Sequence, residues 1–318
     1  MNYNNKYMGR LVYIVILTVF PMSFLGGCGK AHDSTRLSDL GGVYSEERET
    51  IDFENEITES LPEDISAESV DALANKLAEE GIGTPLDNKK IRWGLKRNPD
   101  NKPPTADPGT PKLLSKYGGL YLGDTNKKEI YLTFDEGYEN GYTSKILDVL
   151  RDNNVKAVFF VTGPYLKENG DLIRRMVEEG HEVGNHTINH PSLPEIDANR
   201  LEEEIVGLDR VFHEKYGKHM TYLRPPKGEF SERSLSISKK LGYTNLFWSF
   251  AYEDWYTDRV RGPEYAKNIV MRNLHNGAII LLHAVSKDNA YALDSIIKGA
   301  REKGYEFGNI NNLVKSSN

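Results

Sequence analysis

The sequence predicts an α/β fold, a distorted or incomplete (β/α) barrel of about seven parallel strands, and two observations carry that prediction. From residue 129 onward, short runs rich in β-branched and aromatic residues alternate with stretches of helical period, the pattern of βα units with parallel pairing. The residues that do chemistry, Asp, Glu, His and Arg, recur where these runs end, and βα loops converge at the C-terminal ends of barrel strands. An open doubly wound sheet is the alternative architecture.

The strand runs are expected at 129–134, 156–161, 182–186, 221–224, 244–250, 278–283 and 305–308. Helical patterns fall between them at 145–150, 171–179, 199–216, 231–241, 264–274 and 289–303. Gly180 follows the second helix as its C-terminal stop.

The N-terminus has a different character. Residues 1–10 carry Lys6 and Arg10 and no acid, an apolar stretch runs from Leu11 to Leu25, and Gly26-Gly27-Cys28 follows. This reads as a signal peptide over 1–28 whose lipobox ends on Cys28, the residue to be lipidated. The alternative is an uncleaved anchor, although the 17 residues from Leu11 to Gly27 are short for a span and contain Pro21. Either way the chain is exported and held to a membrane, on its extracytoplasmic face. Residues 29–90 form an acidic flexible tether: 45–64 alone hold nine acids and one Arg, too self-repelling to collapse, with one short helical stripe at 66–80. Residues 91–318 form the catalytic domain. It begins with an arm in which Trp93 and a Pro-rich extended stretch, 103–111, suggest packing across a domain surface.

Composition narrows the function. With 47 acids against 40 bases and no dense basic run, nucleic acid is not an expected partner. Cys28 is the only cysteine, so no disulfide forms within the chain and Cys-rich zinc motifs are excluded. There is no Gly-x-Ser-x-Gly elbow and no phosphate-cradling glycine loop.

What remains is a set of His and carboxylate residues at strand tips. His186 and His190 are four apart, a spacing that brings two imidazoles to one ion. His181-Glu182 does not extend this into a zinc-protease helix, because five residues from His181 to His186 rotate about 140° off one face. Asp135 and Glu136 leave a strand end in opposite directions, so one can complete a two-His, one-carboxylate metal site while the other handles a proton of the nucleophilic water. Arg224, stiffened by Pro225-Pro226, can hold a carboxylate by a forked hydrogen bond. Glu253 and Asp254 follow the fifth strand run, and His283 ends the sixth. Such a set points to metal-assisted hydrolysis of an amide or ester.

Five segments, Thr133-Phe134-Asp135-Glu136-Gly137, His186-Thr187-Ile188-Asn189-His190, Arg224-Pro225-Pro226-Lys227-Gly228, Asp254-Trp255 and Leu281-Leu282-His283, resemble the ordered motifs of the NodB-type polysaccharide deacetylases. Arg92-Trp93-Gly94, Tyr121-Leu122-Gly123-Asp124-Thr125, Tyr138-Glu139-Asn140-Gly141-Tyr142 and Val285-Ser286-Lys287-Asp288-Asn289-Ala290 resemble its delta-lactam-biosynthetic de-N-acetylase branch, which acts on spore cortex peptidoglycan. The resemblance implies Asp135 as general base, held by Arg224, and His283 as general acid, tuned by Asp254. It implies His186, His190 and Glu136 as ligands of a divalent metal, zinc with cobalt or manganese as alternatives. The backbone near Lys227 would bind the oxyanion, and Trp255 would line the sugar pocket. Glu136 departs from the family, which has Asp there. The expected reaction is N-deacetylation of N-acetylmuramic acid in glycan strands already stripped of peptide by an amidase, leading to muramic δ-lactam. Deacetylation of N-acetylglucosamine polymers or acetylated xylan, and non-catalytic glycan binding, are the alternatives.

Overall fold

The computed structural model describes residues 86–317. The expected signal peptide and lipobox at Cys28, the tether as far as residue 85 and the helical stripe at 66–80 lie outside the described residues.

A seven-stranded parallel sheet forms the centre of the domain. Its strands are β4 (Glu129–Glu136), β5 (Ala157–Val161), β6 (Glu182–Asn185), β7 (Tyr222–Leu223), β9 (Thr244–Asn245), β10 (Ile279–His283) and β11 (Glu306–Phe307). The order is β10-β4-β5-β6-β7-β9, with β11 pairing the first residues of β4. Beyond β9, Phe250 makes a parallel bridge to Ile280, and the Leu281 N–H donates to the Phe250 carbonyl at 2.9 Å. The sheet therefore curls back on itself and closes through isolated bridges instead of a full ladder, the distorted barrel expected from the sequence.

Strands buried on both sides read as continuous apolar runs, and β5, Ala-Val-Phe-Phe-Val, is buried throughout. Alternation along β4 divides the core in two. Ile130, Leu132 and Phe134 face the outer helices, packing with residues such as Ile146, Leu147 and Ile297. Tyr131 faces the barrel interior with Val158, Phe160 and Leu246. Gly184 permits close packing there: a Cβ on it would lie 2.5 Å from the Phe160 ring.

The helices fall where the periodicity put them, a residue or two longer or shorter: α2 (Thr143–Asp152), α4 (Gly170–Glu178), α5 (Ala198–Tyr216), α6 (Glu232–Lys240), α7 (Pro263–Arg272) and α8 (Lys287–Glu302). Three short helices were not expected: α1 (Thr110–Lys116), α3 (Gly163–Glu168) and α9 (Ile310–Ser317). The fifth strand is shorter than the expected 244–250. Between Leu246 and Phe250 the backbone bonds in turn to Leu223, Leu120 and Ile279, so no single neighbour sustains a ladder.

The arm packs as Trp93 suggested. Its strand β1 (Ile91–Arg92) runs antiparallel to β8 (Glu229–Phe230), and β2 (Leu95–Lys96) pairs with β3 (Thr105–Ala106). The Trp93 N–H donates to the Gly228 carbonyl at 2.8 Å and its indole N–H to the Trp248 carbonyl at 2.9 Å. Its ring packs 4.9 Å from Tyr121 and 5.1 Å from Phe247. The arm thereby braces the turn after Arg224.

Candidate active site

The interior face of β4 ends in Thr133 and Asp135, and Asp135 is the register partner of His283 on β10. Arg224, fully buried, lies behind Asp135. Its Nη1 donates to Asp135 Oδ1 at 2.7 Å, its Nη2 to Thr133 Oγ1 at 2.9 Å and its Nε to the Leu246 carbonyl at 3.0 Å. The guanidinium also stacks 4.1 Å over the Phe160 ring. Burial alone would raise the Asp135 carboxyl, but Arg224, His186 and His283 outweigh it and hold it below the usual carboxylate range. Asp135 is thus anionic, with Oδ2 turned to the cleft side, 3.5 Å from His186 Nε2.

His283 is set oppositely. Burial would lower it, but Asp254 accepts its Nδ1–H at 2.7 Å and raises it above the ordinary histidine value. Asp254 is itself fixed by the His283 N–H at 2.8 Å and by Asn289 Nδ2 at 2.5 Å. A carboxyl held low and an imidazole held high therefore stand at register partners on adjacent strands.

The histidine loop follows β6. Asn185 accepts the Thr187 N–H, Thr187 Oγ1 accepts the His190 N–H, and both Thr187 and His190 have positive φ, 68° and 56°. Glu204 on α5, buried, accepts the Asn189 N–H and side-chain amide, each at 2.7 Å. The two imidazole rings end 4.7 Å apart. His186 Nδ1 meets the Arg224 carbonyl at 2.8 Å, so it carries the proton and leaves Nε2 with its lone pair. Burial lowers His186, and burial together with His186 brings His190 down to about 4. Two neutral imidazoles side by side, His186 oriented by the carbonyl behind it, fit a divalent cation.

Glu136 does not fit as the third ligand, which corrects the assignment made from sequence. The sheet extends through Glu136, so strand alternation turns its side chain away from Asp135, to the outer helix face. It lies buried near Thr143 and Glu139, Oε2 at 3.5 Å from Thr143 Oγ1 and Oε1 without a partner among the described residues. Burial and then the two neighbouring acids, Glu139 and Asp135, raise its carboxyl well above the ordinary value. Among the described residues no group of three His, Cys, Asp or Glu is assembled for a metal. Of the three residues expected to ligate, only His186 and His190 stand together, their rings 4.7 Å apart.

These residues open onto a cleft of about 880 Å³, lined by Asp135, His186, His190, Lys227, Trp255 and His283 among others. Lys227, at φ 59°, and Gly228, at φ 64°, form the sharp turn after Arg224 that the arm braces. Trp255 is exposed at the rim, its ring 5.5 Å from His283. Glu253 also borders the cleft but points to solvent, 3.8 Å from Arg259. Sequence reasoning gave no role to Thr133, although it opens the first motif, and missed Glu204 and Trp248; all three position the others. Asn289 had a signal, lying within one of the segments that resemble the deacetylase branch.

A held base and a held acid at the mouths of neighbouring barrel strands, beside an open cleft, are the equipment of a hydrolase of amide or ester bonds. Comparison with known proteins agrees. The polysaccharide deacetylase family profile matches residues 122–246. The chain is 45% identical to peptidoglycan-N-acetylmuramic acid deacetylase PdaA of Bacillus subtilis over 228 residues, 71% of this chain and 87% of that one. It is 31% identical to a peptidoglycan-N-acetylglucosamine deacetylase of Bacillus cereus over 208 residues, 64% of this chain and 74% of that one. The structure of B. subtilis PdaA, a family 4 carbohydrate esterase, superposes with a TM-score of 0.72 at 44% identity, covering 73% of this chain and 100% of the other. The chain belongs to the polysaccharide deacetylase family.

Proposed function

We propose that this enzyme removes the acetyl group from N-acetylmuramic acid residues of peptidoglycan. The observation that carries the reading is the pairing of Asp135, held anionic by Arg224, with His283, held protonated by Asp254, across one cleft. Asp135 takes a proton from the attacking water. His283 then gives its proton to the departing nitrogen, without which the amide C–N bond does not break. The backbone N–H of Lys227, in the turn that borders the cleft, would bind the oxyanion, and Trp255 offers an aromatic face to a sugar ring. His186 and His190 would hold a divalent cation, zinc with cobalt or manganese as alternatives, and when bound it polarises the acetamide carbonyl.

The relative at 45% identity, named for N-acetylmuramic acid, favours the muramic substrate over glucosamine. On this reading the strand has first lost its peptide to an amidase. The freed amine then condenses with the lactyl carboxyl, losing water, to give the muramic δ-lactam of spore cortex. The enzyme works outside the cytoplasm as a lipoprotein anchored through Cys28. The test is acetate release from peptide-free and peptide-bearing strands, with and without chelator. Release from peptide-free strands alone is expected, and release only from chitooligosaccharides overturns the substrate.

A further inference from the structure

We propose that Arg97 and Arg261 form a carboxylate-reading wall of the cleft, selecting muramic units whose lactyl carboxyl is free. The proposal rests on the muramic reading above and adds the residues that make the distinction.

Both guanidinium groups line the same cleft as Asp135 and His283. Arg97 comes from the arm, outside the 122–246 segment that matches the family. Its Nη2 donates to the Ala251 carbonyl at 2.9 Å and its Cζ lies 5.3 Å over the Phe250 ring. Arg261 donates from Nη1 to Tyr265 Oη at 2.5 Å, with its Cζ 4.8 Å over that ring. Phe250, Tyr252 and Tyr265 follow one another at 6.2 and 6.3 Å, so the two arginines stand at the ends of one aromatic wall. That wall leads directly into Asp254, which holds the catalytic imidazole.

The charges on this wall are unanswered. Arg92, Arg151, Arg175, Arg200, Arg224 and Arg259 each pair with a carboxylate, and of the described arginines without such a pair only Arg97 and Arg261 line the cleft. Among the described residues, no carboxylate comes within ion-pair distance of the Arg97 or Arg261 guanidinium. The acids nearest the cleft are engaged elsewhere: Asp135 with Arg224, Asp254 with His283, Glu253 with Arg259, and Asp288 with the backbone N–H groups of Arg261 and Gly262 at 2.7 and 3.0 Å. Each guanidinium has five N–H donors and spends one on the contacts above, leaving a fork free for a carboxylate. Lys227 adds a third cation to the cleft.

The acetamide that reacts is neutral and gives these cations nothing to bind. Muramic acid differs from glucosamine by a lactyl ether on the carbon next to the acetamide-bearing one, and this lactyl group ends in a carboxyl. The carboxyl is anionic when free and a neutral amide when it carries a peptide. A fork placed on this wall therefore separates muramic from glucosamine units, and peptide-free from peptide-bearing ones.

The test compares a peptide-free strand with the same strand after conversion of its lactyl carboxyls to primary carboxamides, which keeps size and removes charge. For the wild type, kcat/KM for the carboxylate strand should exceed that for the carboxamide strand by roughly tenfold to a hundredfold. Arg97→Gln and Arg261→Gln should each draw this ratio towards one, mainly through KM, and Arg97→Lys should keep part of it. Raising the ionic strength should also shrink it. Because the readout is a ratio on one enzyme sample, loss of folded protein does not alter it. A wild type that treats the two strands alike, or variants that slow both equally, overturns the proposal. Acetate from chitooligosaccharides and from neither muramic strand is a different failure: it removes the muramic reading, and this inference with it.

Discussion

Asp135 and His283 are register partners on adjacent parallel strands, so the base and the acid of the site are spaced by the sheet itself. Neighbouring strands lie about 4.8 Å apart, and partners in register project to the same face. Neither side chain has to be brought in by a loop. Each is then given its charge from behind, Asp135 by Arg224 and His283 by Asp254. The chemistry depends on this opposition: the depressed carboxyl and the raised imidazole leave a broad pH window in which one is anionic and the other protonated.

That window predicts a bell-shaped kcat/KM. The acid limb follows protonation of Asp135 and the alkaline limb deprotonation of His283. Because Asp254 is what raises His283, Asp254→Asn should move the alkaline limb to lower pH and cut kcat by about a hundredfold or more. His283→Ala should lose turnover while retaining bound metal. A pH–rate series on the three proteins checks this, and an unmoved alkaline limb in Asp254→Asn rules out His283 as the acid.

Glu136 lies on the wrong face to hold a metal, so Glu136→Gln should leave metal affinity unchanged in calorimetric titration with zinc, whereas His186→Ala and His190→Ala should lose it. Its raised carboxyl also has a stability consequence. Above the ordinary glutamate value the unfolded chain ionises while the folded one keeps the proton, so folding stability falls as pH rises through and beyond about 4.5. Glu136→Gln removes that dependence, so its stability should no longer fall between acid and neutral pH as that of the wild type does. A large loss of bound zinc in this variant would restore Glu136 as a ligand.

His181 supplies a second pH dependence, away from the site. It is buried, accepts the Ala157 N–H on Nδ1 at 3.2 Å, and has no hydrogen-bond partner for Nε2 among the described residues, with Glu179 Oε2 4.0 Å away. Burial first, then Lys156 and Arg175, bring it down to about 4. Between about 6.5 and about 4 the unfolded chain binds a proton that the folded chain refuses. Stability is therefore full above 6.5 and falls by on the order of 3 kcal/mol as the pH drops to 4. His181→Asn keeps an acceptor for Ala157 and should flatten that part of the curve in urea denaturation.

Cys28 should be the sole determinant of lipid attachment. Cys28→Ala should block incorporation of labelled fatty acid and leave the precursor unprocessed or released from membranes. Unchanged membrane retention with an intact N-terminus would instead favour the uncleaved anchor.

Much of this was legible in the sequence because barrel strands announce themselves. Buried parallel strands are short apolar runs, and a polar residue that ends such a run stands at the mouth of the barrel. Asp135, His186, Arg224, Asp254 and His283 were all read at or just after such run ends; Asp135, His186 and His283 line one cleft, with Arg224 behind Asp135 and Asp254 behind His283. Glu136 was misread for a small reason. The two carboxylates were expected to leave the strand end in opposite directions and still share the site; the strand continues through Glu136, so the face opposite Asp135 is the buried helix face and not the cleft.

What the sequence by itself determined was the parallel α/β architecture and the residues at its strand ends, because periodicity and the position of a polar residue after an apolar run are local properties. Which way each side chain faces, and what stands behind it, was decided only by tertiary structure. The tautomer of His186 depends on a carbonyl 38 residues away, the acidity of His283 on an aspartate 29 residues away. Arg97 reaches the cleft only because the arm folds back along β8 and fixes itself through Trp93. Charges and hydrogen bonds act through space over a few ångströms, and the chain brings these groups within that range only once it has folded.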